Sequence, residues 1–154
     1  MEKTNVMRIL DAKRIEYLAF TYDNTETRGE VVAKLVGKDP NTVFKTLVTV
    51  GNDKNHYVFM IPVCTELNLK KAALVAKVKS IEMIKQKELL PLTGYIHGGC
   101  SPIGMKKEFP TFIDEVALLF DSITFSAGKV GYQVELKVED LKKLIGDNFV
   151  SLTD

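Results

Sequence analysis

The segment Gly94-Tyr-Ile-His-Gly-Gly-Cys-Ser-Pro-Ile-Gly-Met-Lys-Lys107 constrains this chain more than any other part of it. The pair Gly98-Gly99, followed by Pro102 and Gly104, forbids regular helix and is too rich in glycine for a plain strand. Glycine pairs let a backbone come close to a ligand, and consecutive free N–H groups in a tight loop hold a carbonyl oxygen or an anion. Two lysines follow at once. Alone, this is a loop without a named chemistry, and a connection crowded by neighbouring backbone would look the same.

Around the loop, the hydrophobic periodicity alternates between helix and strand. Val6, Ile9 and Leu10 recur at helical spacing after Thr4, and residues 15–22 read as a strand. Thr27-Arg-Gly-Glu30 has the form of a capping box, with Gly37 closing the helix it opens. Strand 43–50 turns through Gly51–Asn55 into a return strand, 56–61. Asn68 caps a helix with the stripe Leu69, Ala72, Ala73 and Ala76. A short strand near 80–84 and a helix near 86–92 lead into the loop. Strands are expected at 111–114 and 122–126. Tyr132, Val134, Leu136 and Val138 alternate with Gln133, Glu135 and Lys137, the clearest half-buried strand. A last helix ends at Gly146, and 148–152 reads as an edge strand. The pattern predicts one α/β (α+β) domain over residues 1–154, with a sheet at least partly antiparallel.

Composition narrows the function classes. Hydrophobic content of 45% with 27% charged residues is that of a globular chain. No apolar run approaches the ~20 residues of a spanning helix, and the first residues have no signal-peptide core, so a cytoplasmic protein is expected. Cys64 and Cys100 lack CxxC spacing, and with only His56 and His97 beside them no metal site or metal cofactor is expected. A net charge of +1 does not announce a nucleic-acid binder. Lys70, Lys71, Lys77, Lys79, Lys85 and Lys87 nevertheless face a single acid, Glu82, in that stretch. They read either as a solvated face or as a backbone-contacting patch.

Lys45 stands in the middle of an apolar strand, on the face of Leu47 and Thr49. It must reach water, pair with a carboxylate or face a site. Cys100 invites reading as a nucleophile, but no CxxC or recognisable Cys-His-Asn set accompanies it, which favours a pocket wall.

Four segments in order carry a resemblance: Val43-Phe-Lys-Thr-Leu-Val48, the glycine loop, Phe109-Pro-Thr-Phe-Ile-Asp114, and Phe125-Ser-Ala-Gly-Lys-Val-Gly131 with Glu135-Leu136. Together they resemble the YbaK/EbsC family of bacterial proteins, which trans-edit mischarged tRNA and are related to the editing domain inserted in prolyl-tRNA synthetases. The resemblance spans about Tyr22 to Leu141. It implies a curved, barrel-like mixed sheet with flanking helices, and deacylation of Cys-tRNA(Pro) without a cofactor. The aminoacyl-tRNA 3′ end is the implied partner, and prolyl-tRNA synthetase a further one. An Ala-tRNA(Pro) deacylase or an inactive tRNA- or synthetase-binding module are the alternatives.

The resemblance also assigns roles. Lys45 and the Gly98 N–H are implied to be catalytic, and the substrate's own thiol to be the nucleophile. Tyr22, Thr46, Gly99, Cys100 and Ser126 are implied to line the substrate pocket. Some relatives have an aspartate where this chain has Gln133, so no carboxylate role carries over there. Asp114 and Glu135 are the acids left in matching segments, and either could be structural.

Overall fold

The Thr4 hydroxyl accepts the Met7 N–H at 3.2 Å and opens helix α1, Asn5–Ala12, which buries Val6, Met7 and Leu10. The computed structural model describes residues 2–154. Strand β1 covers only Leu18–Thr21, shorter than the 15–22 expected. The end of α1 accounts for the difference: the Arg14 and Ile15 N–H groups bond back to Asp11 and Leu10 carbonyls, with Arg14 at φ +58°.

Helix α2, Gly29–Leu35, begins one residue later than the capping box proposes. Its N-cap is Arg28, and the Glu26 carboxylate, not a Thr27 hydroxyl, accepts the Thr27 and Arg28 N–H groups at 3.1 and 2.9 Å. With the Arg28 guanidinium also donating to it, the Glu26 carboxyl is pulled down to about 2. Thr27 is thereby released for another contact, described below.

Strands β2, Phe44–Gly51, and β3, His56–Pro62, form the expected hairpin. Asn68 caps α3, Leu69–Ala76, by accepting the Lys71 N–H at 3.0 Å. Ala72 and Ala73 are buried, while Leu69 is turned outward. Strand β4, Ile81–Met83, and helix α4, Gln86–Thr93, precede the glycine loop. Then come β5, Thr111–Asp114; β6, Ser122–Ser126; β7, Tyr132–Lys137; α5, Val138–Ile145; and β8, Phe149–Val150. Val138 opens α5 and does not extend β7. The edge strand expected at the end is present as β8.

These strands form two sheets. One has the order β1-β7-β6 and is antiparallel; the other has the order β4-β2-β3-β5-β8 and is mixed. They meet at one isolated parallel bridge, Val43–Thr124. The barrel-like curvature implied by the resemblance therefore stops short of a closed sheet. Two large apolar clusters fill the structure. One centres on Phe44, Met60, Phe125, Val134 and Leu136 beneath α1 and α5; the other packs Phe59 and Ile61 against α3.

The outer edge of β2 is what positions the site. Its far end, Thr49–Gly51, pairs with β4, and just before its near end Val43 bridges to β6. Between these contacts the edge carries no strand. The Val63 N–H bonds the Val43 carbonyl and the Ile84 N–H bonds the Val48 carbonyl, so odd-numbered backbone groups face β3 and even-numbered ones face outward. The backbone groups of Thr46 are thus aimed into the gap.

Candidate active site at the open edge of β2

A pocket of about 160 Å³ fills this gap. Lys45, Thr46 and Leu47 border it from β2, Ser126 and Gln133 from β6 and β7, and Leu89 from α4. Because it lies against an edge, side chains on both faces of β2 reach it. Lys45 and Thr46, which alternation puts on opposite faces, therefore share one cavity. Its volume is well below the ~300–1,000 Å³ of sites that enclose a drug-sized ligand. It has room for one small acyl group.

The glycine loop forms another wall, and its shape follows from Tyr95. This buried side chain donates its hydroxyl to the Ile103 carbonyl, while Lys106 N–H bonds the Thr93 carbonyl at 3.0 Å. Burial pushes the Tyr95 phenol up to about 12, so it remains a donor. Inside the pinned loop, the Gly99 N–H bonds the Ile96 carbonyl at 3.0 Å. Among the described residues, no protein acceptor takes the Gly98 N–H.

The two glycines serve different ends. Gly98 lines the pocket at φ +86°, and a Cβ there would lie 2.7 Å from Thr27 Cγ2. Gly99 does not line it. A Cβ on Gly99 would come within 3.0 Å of the Val130 nitrogen and 3.2 Å of the Lys129 carbonyl carbon, so its smallness lets two backbone segments touch. Nothing in the sequence placed Thr27 beside Gly98. The capping pattern at 27–30 signals a helix and carries no sign of the loop.

Six of the seven residues singled out in the sequence border the pocket: Tyr22, Lys45, Thr46, Gly98, Cys100 and Ser126. The Tyr22 N–H bonds the Gly131 carbonyl at 2.9 Å, tying the end of β1 to the turn before β7. Ser126 is buried, and its Oγ accepts the Gly128 N–H at 3.1 Å. Ala127, beside it, packs wholly into the core. Lys45 is half-buried and forms no ion pair among the described residues. Among the described residues three buried oxygens have no hydrogen-bond partner: Thr46 Oγ1 and Gln133 Oε1 on residues of the pocket, and Glu135 Oε1, which has only its ion pair with Lys38. The Cys100 thiol is pushed up to about 12 by burial and is fully protonated near neutral pH.

The remaining acids have other work. Asp114 accepts the Val116 N–H at 3.1 Å and the Leu152 N–H at 3.0 Å. Glu135 pairs with Lys38 at 2.7 Å and accepts the Ser122 hydroxyl at 2.5 Å. Neither borders the pocket. Among the described residues, no cluster of His, Cys, Asp or Glu has the form of a metal site, and no helix is long and apolar enough to cross a membrane.

Residues 23–144 match the family model described as "Aminoacyl-tRNA editing domain". The chain belongs to this family. A protein of Enterococcus faecalis, provisionally named the Cys-tRNA(Pro)/Cys-tRNA(Cys) deacylase EbsC, is 43% identical over 99% of this chain and 94% of its own length. A crystal structure described as a candidate trans-editing enzyme for prolyl-tRNA synthetase has a TM-score of 0.85 at 21% identity, covering 100% of this chain and 99% of that one. Another, described only as a hypothetical protein, has a TM-score of 0.89 at 19% identity, covering 98% and 100%. At such identities these structures establish the editing-domain fold, and the pocket lies within the segment the family model matches.

Proposed function

We propose that this editing-domain protein is an aminoacyl-tRNA deacylase that removes cysteine from Cys-tRNA(Pro). The observation that carries this reading is one small pocket lined by Lys45, Thr46, Gln133 and Gly98, whose N–H has no acceptor among the described residues. Family membership and the named relative supply the substrate class. An ester carbonyl at Gly98 would find an N–H donor fixed before reaction begins, which is where catalysis by electrostatic preorganisation acts. Lys45 would hold the oxyanion or the terminal ribose from the opposite wall.

The chemistry needs no protein nucleophile. The substrate thiol, a few per cent ionised near neutral pH, attacks its own ester carbonyl. A C–S bond forms, the C–O bond to the ribose breaks, and the ribose oxygen leaves with a proton. The resulting cyclic thioester hydrolyses in water. Cys100, held as a neutral thiol, is unsuited to that attack, and Ser126 Oγ is engaged by Gly128.

The pocket's size suits discrimination by a second sieve. Cysteine and proline are close in volume, and a small apolar site separates near-isosteres by only about 10–200-fold. The tRNA itself would lie outside, across α4, where Lys85 at the N-cap and Lys87 in the first turn begin the helix that sends Leu89 into the pocket. Lys71 is engaged with Ser151 Oγ and the Thr153 carbonyl and belongs to the fold. Incubation of the pure protein with Cys-, Ala- and Pro-tRNA(Pro) tests the reading directly. Loss of cysteine at least tenfold faster than alanine or proline is expected, and equal inertness toward all three would refute it. A pull-down with prolyl-tRNA synthetase tests for that partner.

A further inference from the structure

Gly98 meets a requirement that its own residue type works against. A donor for an ester carbonyl has to be fixed before reaction begins, yet glycine is the residue whose backbone turns most freely. At φ +86° little else is tolerated there. Whatever holds this peptide must therefore come from other segments.

The space that a side chain on Gly98 would fill shows what does. A Cβ there would lie 2.7 Å from Thr27 Cγ2, 3.0 Å from Thr27 Cβ and 3.4 Å from Val130 Cγ2. Two methyl groups, one from the approach to α2 and one from the turn before β7, thus stand where Gly98 has no side chain of its own. Thr27 is anchored in turn. Its N–H donates to the Glu26 carboxylate at 3.1 Å, and Arg28 Nε and Nη2 grip that carboxylate at 3.0 and 2.8 Å. The Thr27 hydroxyl takes no part in this anchoring. Thr27 is also an exposed residue outside the apolar clusters, so its contact with Gly98 adds little to the stability of the fold.

We infer that Thr27 is a positioning residue for the deacylation: its methyl, with that of Val130, supplies the packing Gly98 lacks and holds the Gly98 peptide in one orientation. The inference rests on the reading of this pocket as an ester-cleaving site. A donor that drifts weakens the transition state more than the bound ground state, so the loss on removing the methyl should fall on kcat.

The test is a set of Thr27 variants in the full chain, read in two ways. Deacylation of Cys-tRNA(Pro) gives kcat and KM, and nitrogen-15 relaxation of the ligand-free protein gives the order of the Gly98 N–H. Thr27→Gly should lower kcat about tenfold or more with KM within about twofold, because small misplacements of a reacting group are costly. Its Gly98 order parameter should fall from about 0.85, typical of rigid backbone, to below about 0.6. Thr27→Ser, which deletes only the methyl, should lie between the two. Thr27→Val, which keeps that methyl and lacks the hydroxyl, should recover most of what Thr27→Ser loses in both readouts. In a Gly98→Ala background the sign reverses: the alanine methyl takes the space itself, and Thr27→Gly raises the rate. Tm should stay within about 2 °C of wild type for the three single variants, as for other exposed positions.

A Thr27→Gly protein with wild-type kcat overturns the inference. A slow one whose Gly98 N–H stays ordered does so too, because Thr27 would then act by touching the substrate. A Thr27→Val protein no better than Thr27→Ser would give the role to the hydroxyl, with the same result. If the wild-type protein deacylates no tRNA, the proposed function falls, and the order parameters then decide by themselves whether Thr27 clamps Gly98.

Discussion

Two of the molecule's concavities differ in more than size. The larger, about 900 Å³, lies between the end of α1, β1 and β7, bordered by Arg14, Tyr17, Leu18 and Glu135. The smaller, about 160 Å³, sits at the open edge of β2. Two carboxylates of the large cleft are paired, Asp11 with Lys3 at 2.5 Å and Glu135 with Lys38 at 2.7 Å, while its Arg14, Glu16, Asp121 and Lys137 form no ion pair among the described residues. In the small pocket Ser126 Oγ is engaged by the Gly128 N–H, but other polar groups are not. Among the described residues Lys45 has no carboxylate partner, the Gly98 N–H has no acceptor, and the buried Thr46 Oγ1 and Gln133 Oε1 make no hydrogen bond. The contrast teaches that volume alone does not mark a candidate site: the smaller concavity is the one that sets a lysine opposite a loop amide without an acceptor.

The sharpest way to break this contrast is Lys45→Ala. It should lower deacylation of Cys-tRNA(Pro) at least about 100-fold with native circular dichroism, the scale expected when one preorganised charge is removed from a transition state. Wild-type turnover in that variant would reduce Lys45 to a snorkelling strand residue. Gly98→Ala should follow closely. Its Cβ would meet Thr27 and the backbone would be strained at φ +86°, so the N–H moves away from the carbonyl it is meant to hold. Thr27→Gly in the same chain should recover part of the lost rate, because it removes the clash and leaves only the strain.

On the cleft side, the expected effect is on stability, not rate. Burial acts to raise the Glu135 carboxyl, but the Lys38 ammonium and Ser122 hydroxyl outweigh it and hold the group below its ordinary value of 4.5. A depressed folded-state value means this stabilisation is complete above about pH 4.5 and disappears as the pH falls through the folded value. Glu135→Gln should therefore cost about 1 kcal/mol at pH 7 and flatten the decline of Tm between pH 5 and pH 3. A lost rate with unchanged Tm would move Glu135 from the fold to the chemistry.

Much of this contrast could be read in the chain and part of it could not. Local signals held: Thr4 and Asn68 cap the helices they precede, and the alternation of Val134 and Leu136 with Gln133 and Glu135 is a true strand. Lys45 was legible because a charge in an apolar strand requires an explanation. The gap at the β2 edge was not legible, since it depends on Val43 meeting Thr124, a contact between segments far apart in sequence. For the same reason Gly98 and Gly99 look alike in sequence but differ in structure, one facing a cavity and the other facing backbone at Lys129 and Val130. Local rules stop where the neighbour comes from elsewhere.

The smallest expected effect is that of Cys100→Ala, and it sharpens the account of what happens inside the small pocket. Cys100 lies beside the free Gly98 N–H, where a protein nucleophile would be placed if the reaction used one. Burial, however, holds its thiol near 12, so at pH 7.5 the thiolate fraction is on the order of one in 30,000. A substrate thiol with an ordinary value would be ionised to several per cent and reach the same carbonyl from within the molecule. Cys100→Ala should accordingly keep deacylation of Cys-tRNA(Pro) within about threefold of wild type, the remaining change reflecting a slightly roomier wall. Ser-tRNA should stay a poor substrate for both proteins, because its hydroxyl is a far weaker nucleophile. An inactive Cys100→Ala protein with native circular dichroism, or an acyl group trapped on Cys100, would give the small pocket a nucleophile of its own and end the substrate-assisted mechanism.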